Sequence, residues 1–106
     1  MLGLGNKTEL AKLATLLQDE SIQAVFTECP SNPLLRSYDL AALRKLADEH
    51  GFALIVDDTV GNFLNVDPLQ YADIVATSLT KVFTGKGDVM GGRFVLLFSR
   101  PWFYKC

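Results

Sequence analysis

The feature that most constrains the fold is an uninterrupted apolar run at residues 52–56, Phe-Ala-Leu-Ile-Val. A run without polar alternation is typical of a central strand in a parallel sheet, because such a strand is buried on both faces. The preceding residues predict a helix, since Asp39 is a good N-cap, leucines recur on one face, and Gly51 is a good C′ residue. A helix that ends directly before a buried strand favours an α/β chain.

The rest of the chain supplies neighbours for this strand. Apolar spacing predicts a helix over 8–17, strands over 22–27, 73–76 and 93–98, and a short helical turn within 61–71. Strand–helix–strand units of this length imply parallel pairing with right-handed crossovers. The connection from 81 to 93 is too short for a crossover helix, so we expect the last strand to be antiparallel. The expected fold class is α/β, a partial doubly wound and mostly parallel sheet.

Composition excludes several classes of partner. The chain has 106 residues, 49% of them hydrophobic, and a net charge of −2 without a basic block, so we expect no nucleic acid partner. No apolar run approaches the roughly 18–20 residues of a membrane span. Cys29 and Cys106 lack the spacing of a zinc or redox motif, so we expect free thiols, no metal site and a cytoplasmic protein.

Polar residues follow three of the predicted strands at the point where each strand ends. Ligands of parallel sheets bind at the carboxyl ends of the strands, where such groups meet if the strands are neighbours. One edge of the sheet would then combine an amine, carboxylates, an amide and several hydroxyls. The residues concerned are Glu28 to Asn32 after the first strand, Asp57, Asp58 and Thr59 after the second, and Ser78, Thr80 and Lys81 after the third.

Each of these residues also has a plainer interpretation. Asp57 could cap a turn, and Asn32 before Pro33 suits an ordinary turn. Ser78 and Thr80 could cap the segment that follows them. Lys81 precedes a glycine-rich loop, where a lysine is usually solvated, although a lysine amine can also form a Schiff base with a carbonyl compound such as pyridoxal 5′-phosphate (PLP).

Four motifs in register resemble one known group of enzymes. They are E-C-P-S-N-P at 28–33, V-D-D-T at 56–59, S-L-T-K at 78–81 and G-x-x-D-V-M-G-G at 85–92. Their order and spacing over residues 20–97 resemble the Cys/Met-metabolism group of PLP-dependent enzymes, which have fold type I, and look closest to fungal-type cystathionine γ-synthases. The resemblance implies that residues 1–97 are the central part of the family's large domain, with residues 98–106 as a divergent tail.

The resemblance also implies a role for each site residue. Lys81 would hold PLP as a Schiff base and act as the acid–base catalyst, and Asp57 would pair with the pyridine nitrogen. Ser78 and Thr80 would bind the phosphate. Asn32 would face the ring 3-hydroxyl oxygen, and Thr59 would lie close to the ring. One departure from the family pattern is Asp58, which stands where many members have Asn, and its local role is left open.

The implied reaction is γ-replacement, in which an activated homoserine ester and cysteine give cystathionine. The same residues serve γ-lyase, β-lyase and sulfhydrylase chemistry, and a truncated, inactive remnant is a further alternative. The resemblance implies small amino-acid substrates and a homo-oligomer for the full-length family. We expect little or no γ-replacement activity from the isolated chain, because the family's upstream phosphate loop and downstream small domain have no counterpart in it.

Overall fold

The computed structural model describes residues 7–62 and 64–97. The tail expected at 98–106 lies outside the described residues. Two helices and four strands form the framework, and their bounds, in chain order, are α1 (Lys7–Asp19), β1 (Ala24–Glu28), α2 (Leu40–His50), β2 (Ala53–Asp57), β3 (Ile74–Ser78) and β4 (Gly92–Leu96). A 3₁₀ turn over Pro68–Gln70 precedes β3, and a π-helical segment over Thr80–Thr84 follows it.

Helix α2 begins and ends where its sequence predicts. The Asp39 carboxylate accepts a hydrogen bond from the Ala42 N–H at 3.0 Å. Gly51 adopts the left-handed conformation with φ of 77°, and its N–H donates to the Ala47 carbonyl at 2.8 Å. A side chain disfavours that conformation, so glycine is the residue that ends the helix and turns the chain into β2.

The four strands form one sheet in the order β1-β2-β3-β4. The first two pairings are parallel, and β3 pairs with β4 antiparallel. The predicted α/β fold and the antiparallel last strand are therefore confirmed. In the register, Glu28 lies opposite Asp57, and Asp57 lies opposite Ala76, so three carboxyl ends share one edge of the sheet.

The helices cover one face of this sheet. Leu13 and Leu17 of α1, Leu43 of α2, and Leu54 and Val56 of β2 belong to one buried cluster. Successive side chains of a strand point to opposite faces of the sheet. On the face opposite the cluster, the edge strands β1 and β4 carry exposed side chains, and Phe26 is 61% and Phe94 68% accessible. No helix among residues 7–62 and 64–97 is long and apolar enough to cross a membrane.

A buried ion pair ties α2 to the start of β3. Asp73 is fully buried, and its Oδ2 accepts from Arg44 Nη1 at 3.0 Å and from the Leu54 N–H at 2.7 Å. Arg44 Nη1 also donates to the Tyr71 carbonyl at 3.1 Å, and Arg44 Nη2 contacts the Asp48 carboxylate at 2.7 Å. This cluster fixes the position at which β3 begins. Because β3 ends at Ser78, the cluster also determines where Ser78 lies.

Two local predictions need correction. The strands start and end one or two residues away from the predicted bounds. Alternation of apolar and polar residues locates a strand but does not define its last residue. The segment at Lys81 is a π-helical turn over Thr80–Thr84 instead of a loop directly after the strand. The glycines that predicted the loop lie after this turn, and Gly85 ends it with a positive φ of 63°.

Candidate functional site

The carboxyl ends of β2 and β3 are joined by side-chain hydrogen bonds. The Thr59 N–H donates to Asp57 Oδ1 at 2.8 Å, which is an Asx turn. Thr59 Oγ1 in turn accepts from the Ser78 N–H at 2.9 Å. All three residues are half-buried. Three of the predicted site residues are therefore in one connected group.

Asp57 combines the two interpretations that its sequence position left open. Its Oδ1 closes the turn with Thr59, so the capping role is present. An ionised carboxylate has two oxygens and about four acceptor positions, so this turn does not use its full capacity. A carboxylate fixed at one oxygen is oriented, and an oriented carboxylate at a strand end can pair with a positively charged group of a ligand.

A small hollow lies beside this group. Its volume is about 250 Å³, and its lining includes Asp57, Ser78, Gly91 and Gly92. Among the described residues, its lining leaves out Asn32 and Lys81. The other lining residues are Ala76, Thr77, Arg93 and Phe94. The hollow therefore lies between Asp57, the end of β3 and the start of β4.

Lys81 lies in the π-helical turn and its side chain is exposed. Such turns are rare and recur at functional sites. Hydrogen bonds to Gly91 fix the start of the segment. The N–H groups of Leu79 and Thr80 donate to the Gly91 carbonyl at 2.9 and 3.3 Å, and Thr80 Oγ1 accepts from the Gly91 N–H at 2.9 Å. Lys81 therefore comes directly after two residues, Leu79 and Thr80, whose backbone is held by Gly91.

Thr80 is tied to the glycine loop through its hydroxyl. Besides accepting from the Gly91 N–H, Thr80 Oγ1 donates to the Gly91 carbonyl over a long distance of 3.4 Å. A hydroxyl proton can rotate to a better acceptor, so a phosphate oxygen could replace that carbonyl. The accepting bond, at 2.9 Å, would stay.

Asn32 lies apart from the Asp57 group. Its side chain is exposed, and its N–H donates to Glu28 Oε2 at 2.9 Å. It lines a larger cavity of about 660 Å³ next to the edge strand β1, together with Ser31, Pro33 and Tyr38. The structure places Asn32 at the same end of the sheet as Asp57, but in a different depression.

Asp58, the departure from the family pattern, is fully buried. Its N–H donates to the Ala76 carbonyl at 2.9 Å, and its carbonyl accepts from the Asn62 N–H at 2.8 Å. A side chain on Gly61 would run into Asp58 Oδ1, so the buried carboxyl requires a glycine there. Asp58 therefore belongs to the packing of the turn that follows β2.

Sequence reasoning missed the contacts that organise the site. The Thr59–Ser78 hydrogen bond joins residues 19 positions apart, and the Arg44–Asp73 pair joins residues 29 apart. A signal for the second was present, because a charged residue at the start of an otherwise apolar strand requires a buried partner. The sequence alone does not say which residue supplies it.

Comparisons with known proteins identify the family of the chain. The model of the Cys/Met metabolism PLP-dependent enzyme family matches residues 4–102. The chain is 52% identical to the cystathionine γ-synthase-like enzyme iboG1 of Amanita muscaria and 50% identical to the cystathionine γ-synthase of Saccharomyces cerevisiae, which cover 87% and 90% of it. It is also 47% identical, over 88% of its length, to the alanine racemase ungC of Aspergillus violaceofuscus. The chain spans 15–17% of the length of these three relatives.

Solved structures show the same fold. The cystathionine γ-synthase of Xanthomonas oryzae pv. oryzae, in complex with aminoacrylate and cysteine, matches with a TM-score of 0.70 at 36% identity. It covers 90% of this chain, which corresponds to 24% of that structure. The methionine γ-lyase CalE6 of Micromonospora echinospora matches with a TM-score of 0.72 at 33% identity, covering 90% of this chain and 26% of its own. With the family model matching nearly the whole chain, we conclude that it belongs to the Cys/Met metabolism family of PLP-dependent enzymes.

Proposed function

We propose that this chain carries the cofactor-binding part of an enzyme of cystathionine γ-synthase type. The observation that carries the proposal is the hydrogen-bonded connection of Asp57 and Ser78 through Thr59, at the carboxyl ends of adjacent parallel strands. The 50% identity to the cystathionine γ-synthase of Saccharomyces cerevisiae supports the choice of reaction.

The donor set at this sheet edge fits PLP. The cofactor presents a ring nitrogen that can be protonated, a phosphate and an aldehyde carbon. Asp57 offers a carboxylate for the protonated nitrogen, Ser78 and Thr80 offer hydroxyls for the phosphate, and Lys81 offers an amine for the aldehyde. When bound, PLP supplies an electron sink for charge that develops at the substrate carbons.

Each residue would then perform one task. Asp57, held at Oδ1 by the Thr59 N–H, would keep the ring nitrogen protonated through its second oxygen. Ser78 and Thr80 would donate to phosphate oxygens. Lys81 would hold the cofactor until the substrate amine displaces it, and its freed amine would then move protons at the substrate carbons. Asn32 would face the 3-hydroxyl oxygen from the side of β1.

In the proposed reaction, the Cγ–O bond of an activated homoserine ester breaks and the acyloxy group leaves as a carboxylate. The sulfur of cysteine gives up its proton and bonds to the γ-carbon, which gives cystathionine. Lyase chemistry of the same site is the second candidate, and the likeness to a methionine γ-lyase favours it. We also propose that the full-length protein is a cytoplasmic homo-oligomer, and that residues 1–97 form the central part of its large domain.

A chimaera tests the reaction without requiring activity from the chain alone. Residues 7–97 replace the matching segment of the Saccharomyces cerevisiae cystathionine γ-synthase, and the purified protein is assayed with an activated homoserine ester and cysteine. We expect cystathionine as the product, because half of the residues already agree. Release of ammonia and an oxo acid instead of cystathionine would contradict the γ-replacement assignment and favour the lyase.

Two lysine variants of this chimaera form a matched pair. Lys81→Ala should abolish turnover, because it removes the only amine that we assign to the cofactor. Lys86→Ala should leave turnover within about twofold, because Lys86 is exposed in the following loop and has no assigned role. Equal activity of the two variants would exclude Lys81 as the catalytic lysine.

A further inference from the structure

The hydrogen-bond ladder between β2 and β3 ends before β3 does. The Asp58 N–H donates to the Ala76 carbonyl at 2.9 Å. The even spacing of a parallel ladder would next join the Ser78 N–H to the Asp58 carbonyl. That carbonyl instead accepts from the Asn62 N–H at 2.8 Å, because the chain turns directly after β2. The strand therefore supplies no acceptor for the Ser78 N–H.

Thr59 takes the place of the missing carbonyl. Its Oγ1 accepts from the Ser78 N–H at 2.9 Å, the distance of the preceding ladder bond. Its own N–H donates to Asp57 Oδ1 at 2.8 Å. Because backbone N–H groups inside a fold require an acceptor, the hydroxyl of Thr59 decides whether the end of β3 keeps its strand geometry. One residue thus fixes a carboxylate on one strand and a backbone amide on the next.

We propose that Thr59 is a positioning residue that acts through its two neighbours. Its hydroxyl fixes the backbone of Ser78 and so aims the Ser78 side chain at the phosphate, while its N–H orients Asp57. This inference rests on the proposed function, in which Asp57 and Ser78 bind PLP. The family resemblance implies only that Thr59 lies close to the ring. The proposal gives separate roles to its hydroxyl, which accepts from Ser78, and to its N–H, which donates to Asp57.

Two substitutions separate the role of the Thr59 hydroxyl from that of its N–H. Thr59→Val keeps the branched shape and the N–H, so the bond to Asp57 remains while the acceptor for Ser78 is lost. Thr59→Ser keeps the hydroxyl and removes only the methyl group. Thr15→Val is the matched control, because Thr15 is exposed on α1 and its hydroxyl donates only to the Ala11 carbonyl of its own helix at 3.0 Å.

Amide hydrogen exchange of the 106-residue chain, without ligand, measures the first link. The Ser78 amide should exchange about 3- to 10-fold faster in Thr59→Val than in Thr59→Ser, which corresponds to the net contribution of one hydrogen bond. The amide of Val75, which faces β4, should keep its rate, as should Ser78 in Thr15→Val. Equal Ser78 rates in the two Thr59 variants would overturn the proposal.

Binding of PLP and of pyridoxal, which lacks the phosphate, measures the second link. Thr59→Val should weaken PLP binding about 3- to 10-fold and leave pyridoxal binding within about twofold, and Thr59→Ser should bind both like the parent. An equal loss for both compounds would overturn the proposal, because a ring contact acts on both alike. If the parent chain binds neither compound, the proposed function fails, while the exchange rates still decide the link between Thr59 and Ser78.

Discussion

Replacing Asp73 with alanine should remove a large part of the stability of the sheet that carries the site. Asp73 is 0% exposed, and its Oδ2 accepts from Arg44 Nη1 at 3.0 Å and from the Leu54 N–H at 2.7 Å. Breaking a buried ion pair costs about 3–5 kcal/mol. Arg44 keeps Asp48 and the Tyr71 carbonyl as partners, so we expect the lower end, about 3 kcal/mol.

The same arginine supplies an internal control. Asp48, four residues on, contacts Arg44 Nη2 at 2.7 Å, but its side chain is 55% exposed. Exposed ion pairs contribute about 0–1 kcal/mol, so Asp48→Ala should change the free energy of unfolding by less than about 1 kcal/mol. The shorter distance belongs to the weaker pair, because burial and not distance decides the magnitude here.

Urea unfolding followed by far-ultraviolet circular dichroism measures both changes. With an m-value that stays the same in each variant, the shift of the midpoint gives the change in the free energy of unfolding. A loss below about 1 kcal/mol for Asp73→Ala, or equal losses for both variants, would refute the account of the buried cluster. A double variant should lose more than the sum of the two single losses, because it leaves the buried Arg44 guanidinium without a carboxylate partner.

Two further substitutions, each with a comparison variant, test local features of the fold. Gly61→Ala should cost about 1–3 kcal/mol in urea unfolding, because its Cβ would run into Asp58 Oδ1; Gly91→Ala, whose Cβ would meet Leu79 Cβ at an ordinary 3.7 Å, is the control. Asp39→Ala should cost about 0.5–2 kcal/mol through loss of the α2 cap, and Asp39→Asn should restore most of it. A Gly61→Ala variant as stable as Gly91→Ala would contradict the packing described for the turn after β2.

Much of the framework follows from local sequence patterns. The N-cap Asp39, the left-handed Gly51 and the apolar run after it act within a few residues, so the sequence shows them directly. The antiparallel last strand followed from the length of one connection. The polar ends of three strands could be assigned to one edge because parallel neighbours must share it.

Contacts between distant residues could not be predicted in this way. The pairing of Asp73 with Arg44 depends on how α2 crosses the sheet, which no local pattern records. The π-helical turn at Lys81 has no sequence signature of its own, and the glycines after it favoured a loop. The position of Thr59 close to the ring, which the resemblance implies, stays a prediction. Its hydrogen bond to Ser78, 19 positions away, has no local signature in the sequence.

The most direct test of the central claim is the site at which PLP attaches to this chain. The 106-residue protein is incubated with PLP, reduced with borohydride, digested and mapped by mass spectrometry. We predict that the label lies on Lys81, that Lys81→Ala loses it, and that Lys86→Ala retains it. A label spread evenly over the exposed lysines, or one that is absent from Lys81, would contradict the assignment of this strand end as the cofactor site.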